Sequence, residues 1–292
     1  MSPATEKEKE FMKDKNYRSL IGALLYFRLT RPDVLQPVLE CAKFCQDPRP
    51  QHWKAAIRIL RYLSGTKDYG LKMQSSGRSL QDEWDIEMYV DADHANCPDT
   101  RRSRRGHLIF LNKNLVAFTS KMETRVAMST PMAEYIALSE AAKDAIWMRN
   151  VLKGMGVRVK VPIQIYEDNQ TCQTLAVEPR AAKRTRHCDI RYHWIREHIQ
   201  AGEIAVQWIP TTDMLADLMT KAVGRTLLER YRRSLMHQIV SPRDPTEVSE
   251  TTQQTLLKGD PPQGIASTTT VGNNLQLQRG GTIWTWLSAF RH

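Results

Sequence analysis

No apolar run in this 292-residue chain approaches the ~20 residues of a membrane-spanning helix, so no such span is expected. Cysteine is scarce, five residues in all, and scattered. Cys41 and Cys45 stand one helical turn apart, but no second pair follows at zinc-like spacing. The cysteines read as core thiols in a reducing compartment. The N-terminus, MSPATEKEKEFMKDKN, is too polar for a signal peptide, and Met1 reads as an opened reading frame or a fragment boundary more than a designed domain start. Adjacent aspartates of the kind a polymerase hairpin carries are missing: Ala92 separates Asp91 from Asp93, and no room lies upstream for fingers and palm. No His/Cys zinc module of the integrase kind is visible either.

What the chain has is positive charge. Its 42 Lys and Arg outnumber 32 Asp and Glu, for a net charge of +10, which suits a polyanionic partner. Hydrophobic residues make up 41%, enough for a sizeable core. Residues 1–15 read as a mobile charged arm. Residues 16–74 read as a helical segment. In it, NYRSLIGALLYFRL places Leu20, Leu24, Leu25 and Phe27 on one helix. DVLQPVLECAKFCQD follows, with Pro37 in its first turn, and HWKAAIRILRYLSGT carries a stripe of Trp53, Ala56, Ile57, Leu60 and Leu63. The short run YGLKM reads as a strand, and residues 75–84 as a linker.

Residues 85–237 alternate strands and helices. IEMYVDA, GHLIFLN and NLVAFTS suit an antiparallel meander, and TRVAMS reads as a fourth strand. Pro131 opens a long helix to about Lys153, with Ser129 or Thr130 as its cap. VPIQIYE and EIAVQWI are further strands, and helices are expected near 169–177, 189–201, 212–220 and 225–237. The order implies an α/β fold with a mixed sheet covered by helices. Residues 238–292 lose periodicity and read as a disordered tail.

Four acidic residues stand in settings that a sheet edge could unite. Asp91 ends a strand (YVDADHA), Glu134 starts a helix (AEYIALSEAA), Asp168 ends another strand (IYEDNQ), and Asp217 lies on a late helix (MLADLMTK). Gathered like charges repel unless a divalent cation neutralises them, and carboxylates holding magnesium serve the attack of water on a phosphodiester. Taken singly, each has a plainer role as a strand-end cap, first-turn Glu, N-cap or surface Asp. Asp93 is left outside the set. Basic clusters at Arg101, Arg102, Arg104 and Arg105, at Lys121, and at Arg180, Lys183, Arg184 and Arg186 suit phosphate contact. His187 and His193 read as structural or exposed, and Trp194 and Trp208 as core residues.

The stretch from YRSLIGALLYFRLTRPDV through HWKAAIRILRYLSGT resembles the segment after the polymerase core in copia-type LTR retrotransposon polyproteins. YVDADHA, RRSRRGHLIFL, TSKMETRVAMSTPMAEYIALSEAAKDAIWMRNVL, IYEDNQ, HCDIRYHWIRE and TTDMLADLMTK resemble that family's ribonuclease H domain, in order. The resemblance covers roughly residues 16–225. It implies a ribonuclease H-like mixed five-stranded sheet flanked by helices and preceded by the small helical segment. It also implies hydrolysis of the RNA strand of an RNA–DNA hybrid. The family's catalytic carboxylates fall on Asp91, Glu134, Asp168 and Asp217, with two Mg2+ ions there, or Mn2+ in their place. The implied partners are the hybrid and the upstream reverse transcriptase domain, and the implied location is cytoplasmic, in the element's virus-like particle. Pro131, Met132, His94, Arg104 and Arg105 depart from the family pattern without removing an expected ligand. The competing reading is a degenerate remnant that binds nucleic acid without cutting it.

Overall fold

The computed structural model describes residues 5–71, 73–178 and 189–238. Helix α1 (Glu6–Met12) falls within the expected arm, where Thr5 and Glu8 form a capping box. Three helices follow: α2 (Tyr17–Phe27), α3 (Leu35–Ala42) and α4 (Pro50–Gly65). Pro32–Val34 form a 3-10 turn before α3, and Pro37 occupies the first turn of α3, where its missing N–H costs nothing. These helices bury Tyr17, Ile21, Leu24, Val38, Ala55, Ala56, Ile59 and Leu63 in one cluster. The expected stripes are rotated by part of a turn: Phe27 and Leu60 are exposed, while Ile21 and Ile59 take the interior positions.

Within YGLKM, strand β1 (Tyr69–Gly70) is the part that pairs among the described residues. Strand β2 (Glu83–Trp84) lies at the end of the expected linker. Then come β3 (Ile86–Asp93), β4 (Arg104–Leu111) and β5 (Asn114–Met122), paired antiparallel as a meander. Residues 124–129, expected as a strand, are irregular. Val126 and Met128 are exposed, and the segment crosses over to the cap of the next helix with no neighbouring strand to pair with.

Helix α5 (Thr130–Gly154) starts where Pro131 and the Ser129 cap place it. Strands β6 (Arg158–Val159) and β7 (Ile163–Glu167) follow, then helices α6 (Gln170–Val177) and α7 (Asp189–Gln200) and strand β8 (Ile204–Trp208). The helix expected at 212–220 is broken into a 3-10 turn, Thr211–Asp213, and the short α8 (Asp217–Thr220). Helix α9 (Arg225–Leu235) and strand β9 (His237–Gln238) complete the described chain. The expected tail beyond residue 238 lies outside the described residues.

The main sheet has the order β5-β4-β3-β7-β8, with β3, β7 and β8 parallel. β1 pairs with β9 and β2 with β6. One face of the sheet presents Ile86, Met88, Val90, Ile163 and Ile165 to Leu138, Ala141 and Ala145 of α5. Each fully buried aliphatic side chain of this kind contributes roughly 1.5–3 kcal/mol. The other face packs Leu108, Phe110 and Leu115 against Leu218 and Met219 of α8 and Leu228 and Tyr231 of α9, and Leu35 of α3 joins that cluster. The expected class is the one observed: an α/β mixed five-stranded sheet flanked by helices and preceded by a helical segment. Among the described residues, no helix is long and apolar enough to cross a membrane.

Candidate active site

Strands β3 and β7 run parallel and end at the same edge, the usual place for a site in a sheet of this kind. Their last matched pair is Tyr89 with Tyr166. Asp91 and Asp168 each stand two residues further on, so the register alone brings both carboxylates to one edge. Glu134 comes from the second turn of α5, whose buried face is pinned to the sheet beside β3. One carboxylate oxygen each from Asp91, Glu134 and Asp168 lie within 4.8 Å of one another. Asp91 and Glu134 are buried and Asp168 is half-buried.

Asp217 is not part of that trio. It is buried at the start of α8, and its partner is Lys221, whose Nζ lies 2.8 Å from Asp217 Oδ1 and 3.7 Å from Asp91 Oδ1. The Thr220 hydroxyl donates to Asp91 Oδ2. What lets α8 come this close is Gly106, which lies opposite Asp91 on β4. A Cβ built on Gly106 would stand 2.4 Å from Met219 Cβ and 2.9 Å from Thr220 Cγ2.

A further carboxylate, which the sequence reading passed over, is Glu167. It is fully buried at the end of β7. Its Oε1 accepts from the Asn169 amide at 3.1 Å, and among the described residues its Oε2 has no hydrogen-bond partner. Strict alternation along β7 could have found it, because Ile163, Ile165 and Glu167 share one buried face. Lys221 was equally legible, four residues after Asp217 and one helical turn away.

The electrostatics are those of crowded acids. Burial, then the charge of Glu167, then those of Asp91 and Asp168, push the Glu134 carboxyl well above its ordinary range. Burial also lifts Glu167 far up, and it lifts Asp91 against the pull of Lys221. Asp217 is raised to about 7 by burial and then by Asp91. Asp93, half-buried beside the trio, is raised to about 6 by burial and the Asp91 charge. Burial works against the Lys221 ammonium, but Asp91 and Asp217 outweigh it and the net direction is upward. Such a pocket either keeps protons or takes a cation. The buried, unpartnered Oε2 atoms of Glu134 and Glu167 and the all-oxygen donor set suit a hard divalent ion. Trp208, half-exposed where a core residue was expected, donates its indole N–H to the Asp168 carbonyl at 2.9 Å and so fixes that strand end.

The basic residues divide. Arg101, Arg102 and Lys121 are exposed. Arg104 is a correction: it is buried, with its guanidinium 2.5 Å from Glu40 of α3 and 3.0 Å from Ser120, so phosphate cannot reach it. Arg105 is largely covered and held by Glu123 and Glu140. Arg180, Lys183, Arg184, Arg186 and His187 lie outside the described residues, while His193 is exposed and Trp194 packs against the main core.

This is an α/β protein with a mixed five-stranded sheet and acidic residues crowded at the ends of its parallel strands. Comparison with known proteins gives the family. The chain is 36% identical over 230 residues to the "Retrovirus-related Pol polyprotein from transposon TNT 1-94" of Nicotiana tabacum, covering 78% of this chain and 17% of that relative. It is 32% identical over 219 residues to the corresponding polyprotein from transposon RE2 of Arabidopsis thaliana, covering 75% of this chain and 15% of the relative. The chain belongs to the retrovirus-related Pol polyproteins of transposons, and it spans about a sixth of the length of these relatives. No family model matches. Among solved structures, the N-terminal RNase H domain of rv2228c from Mycobacterium tuberculosis aligns with a TM-score of 0.32 at 11% identity. That alignment covers 51% of this chain and 97% of the other, an overlap too loose to argue from.

Proposed function

We propose that this chain is the ribonuclease H part of a copia-type LTR retrotransposon polyprotein and hydrolyses the RNA strand of RNA–DNA hybrids. The observation that carries the reading is the meeting of Asp91, Glu134 and Asp168 within 4.8 Å at the ends of two parallel strands. Those three carboxylates would hold the divalent metal, with Asp217 beside them as the fourth acidic residue. Bound there, Mg2+ (or Mn2+) supplies activation of a water and neutralises charge on the leaving oxygen.

The chain's own residues do the positioning. Burial of Glu134 and Asp91 keeps bulk water from their oxygens and makes each of them a costly charge without a counter-ion. Thr220 orients Asp91, and Trp208 orients the backbone at Asp168. Of the basic residues proposed for phosphate contact, the described members left exposed are Arg101, Arg102 and Lys121. Residues 16–74 fit a segment continuing from an upstream reverse transcriptase. The Arg104–Glu40 pair supports a firm seat of that segment on the residue 85–237 unit.

The test is a binding and cleavage assay on one hybrid. Asp91→Asn should abolish magnesium-dependent cleavage by at least a hundredfold and leave hybrid affinity within a few-fold. Hybrid binding by the unmutated chain without cleavage would favour the non-catalytic remnant instead.

A further inference from the structure

We propose that the helical segment of residues 16–74 is a working part of the acidic site, with Leu35 the positioning residue that holds α8, and so Asp217 and Thr220, against Asp91. The inference rests on the nuclease reading and deepens it. Helix α8 has only four residues, Asp217–Thr220. So short a helix does not hold its own shape in water. All four residues are buried, and two layers cover them. On one side lies the sheet, where Gly106 leaves space opposite Asp91. On the other lie the Pro32–Val34 turn and α3, which pack directly on α8. Leu35, buried at the start of α3, shares one apolar cluster with Leu218 and Met219.

Polar links fix where that outer layer sits. Glu40 of α3 meets Arg104 of β4 at 2.5 Å, and Arg104 lies opposite Asp93 on β3. Asp33 accepts from the Tyr62 hydroxyl at 2.6 Å, and Arg232 of α9 donates to the same hydroxyl oxygen at 3.3 Å. Strand β1, which follows α4, pairs with β9, which follows α9. A buried charge pair is costly to break from one side, so these links resist sliding of the segment. The segment thus sets the place of α8. In turn α8 sets two groups beside Asp91: Thr220, which donates to Asp91 Oδ2, and the Asp217 carboxylate. Leu35 acts through α8 and not on the reacting groups. Truncating it leaves a void behind α8 into which Leu218 and Met219 relax, and this draws Asp217 and Thr220 from Asp91.

Two truncations of the same size in the full chain test this. Leu35→Ala opens the layer over α8, while Ile59→Ala opens the segment's own core among α2, α3 and α4. Hybrid cleavage with Mg2+ is measured below both melting temperatures, together with amide hydrogen exchange at residues 217–220 relative to that of α5. Leu35→Ala should lower kcat about tenfold and leave KM within about twofold. It should also speed the relative exchange at 217–220 by about tenfold, as a local opening does. Ile59→Ala should leave kcat and the relative exchange within about twofold of the unmutated chain, and the volume-conserving Leu35→Met should restore both. Equal loss of kcat in the two alanine variants would overturn the inference and leave the nuclease reading standing. A Leu35→Ala chain that cuts at the unmutated rate would do the same. An unmutated chain that cuts no hybrid would overturn the nuclease reading and the inference together. If an alanine variant fails to fold, Leu35→Val against Ile59→Val decides by the same comparison.

Discussion

Glu167 is a carboxylic acid with nowhere to put a charge. Its folded-state pKa lies far above the ordinary 4.5 because it is buried among acids. The sign follows directly. Below pH 4.5 the folded and unfolded chains both hold the proton. Above it the unfolded chain releases the proton and the folded chain does not, so metal-free stability falls as pH rises. By neutral pH this one group lowers the stability of the metal-free chain. Glu167→Gln should therefore raise the melting temperature of the metal-free chain at pH 7.5 and flatten its decline between pH 5 and 7.5. An unchanged or lower melting temperature would contradict this. His52 works in the opposite sense: burial and then Arg49 depress it to about 4. Its contribution is present above pH 6.5 and is lost as pH falls from there toward 4, so acid should destabilise the helical segment. His52→Gln should remove that part of the acid dependence in a denaturation series.

At the scale of elements, the sequence was most legible where a period was long and clean. The α5 stripe and the β3 and β7 alternations placed three strand and helix ends at one edge. TRVAMS failed because alternation says which side chains would share a face, not whether a partner strand is present. The helix near 212–220 failed because α8 is set by contact: it fits into the space left by the missing side chain of Gly106. Gly106→Ala should push α8 outward, taking Thr220 and Asp217 from Asp91. The expected cost is about 1–3 kcal/mol, typical of overpacking, with weakened divalent-ion binding, read by thermal unfolding with and without Mn2+. Arg104 shows the other gap between pattern and structure. A basic cluster in sequence looks solvated, and nothing local reveals that one member turns inward onto Glu40, 64 residues away. Glu40→Ala should leave that guanidinium buried and unpaired and cost about 3–5 kcal/mol, measured as a shift in urea midpoint. Replacing both partners with Met and Leu should recover most of it.

At the scale of the whole molecule, the proposed function gives the +10 net charge and the acidic pocket opposite ends of one task. On the proposed nuclease function, exposed cations would gather the polyanion, and the small, buried, acidic recess would receive metal rather than phosphate. Hybrid affinity should fall linearly with the logarithm of salt concentration, and Arg101→Gln with Arg102→Gln should lower that slope by about 2. An unchanged slope would remove those two residues from the contact surface. The most direct measurement of the central claim is cleavage of one hybrid carrying a label on either strand. With Mg2+ the RNA strand should be cut and the DNA strand left whole, and chelation or Glu134→Gln should stop the reaction. Cutting that persists in chelator, or that falls on the DNA strand, would contradict it.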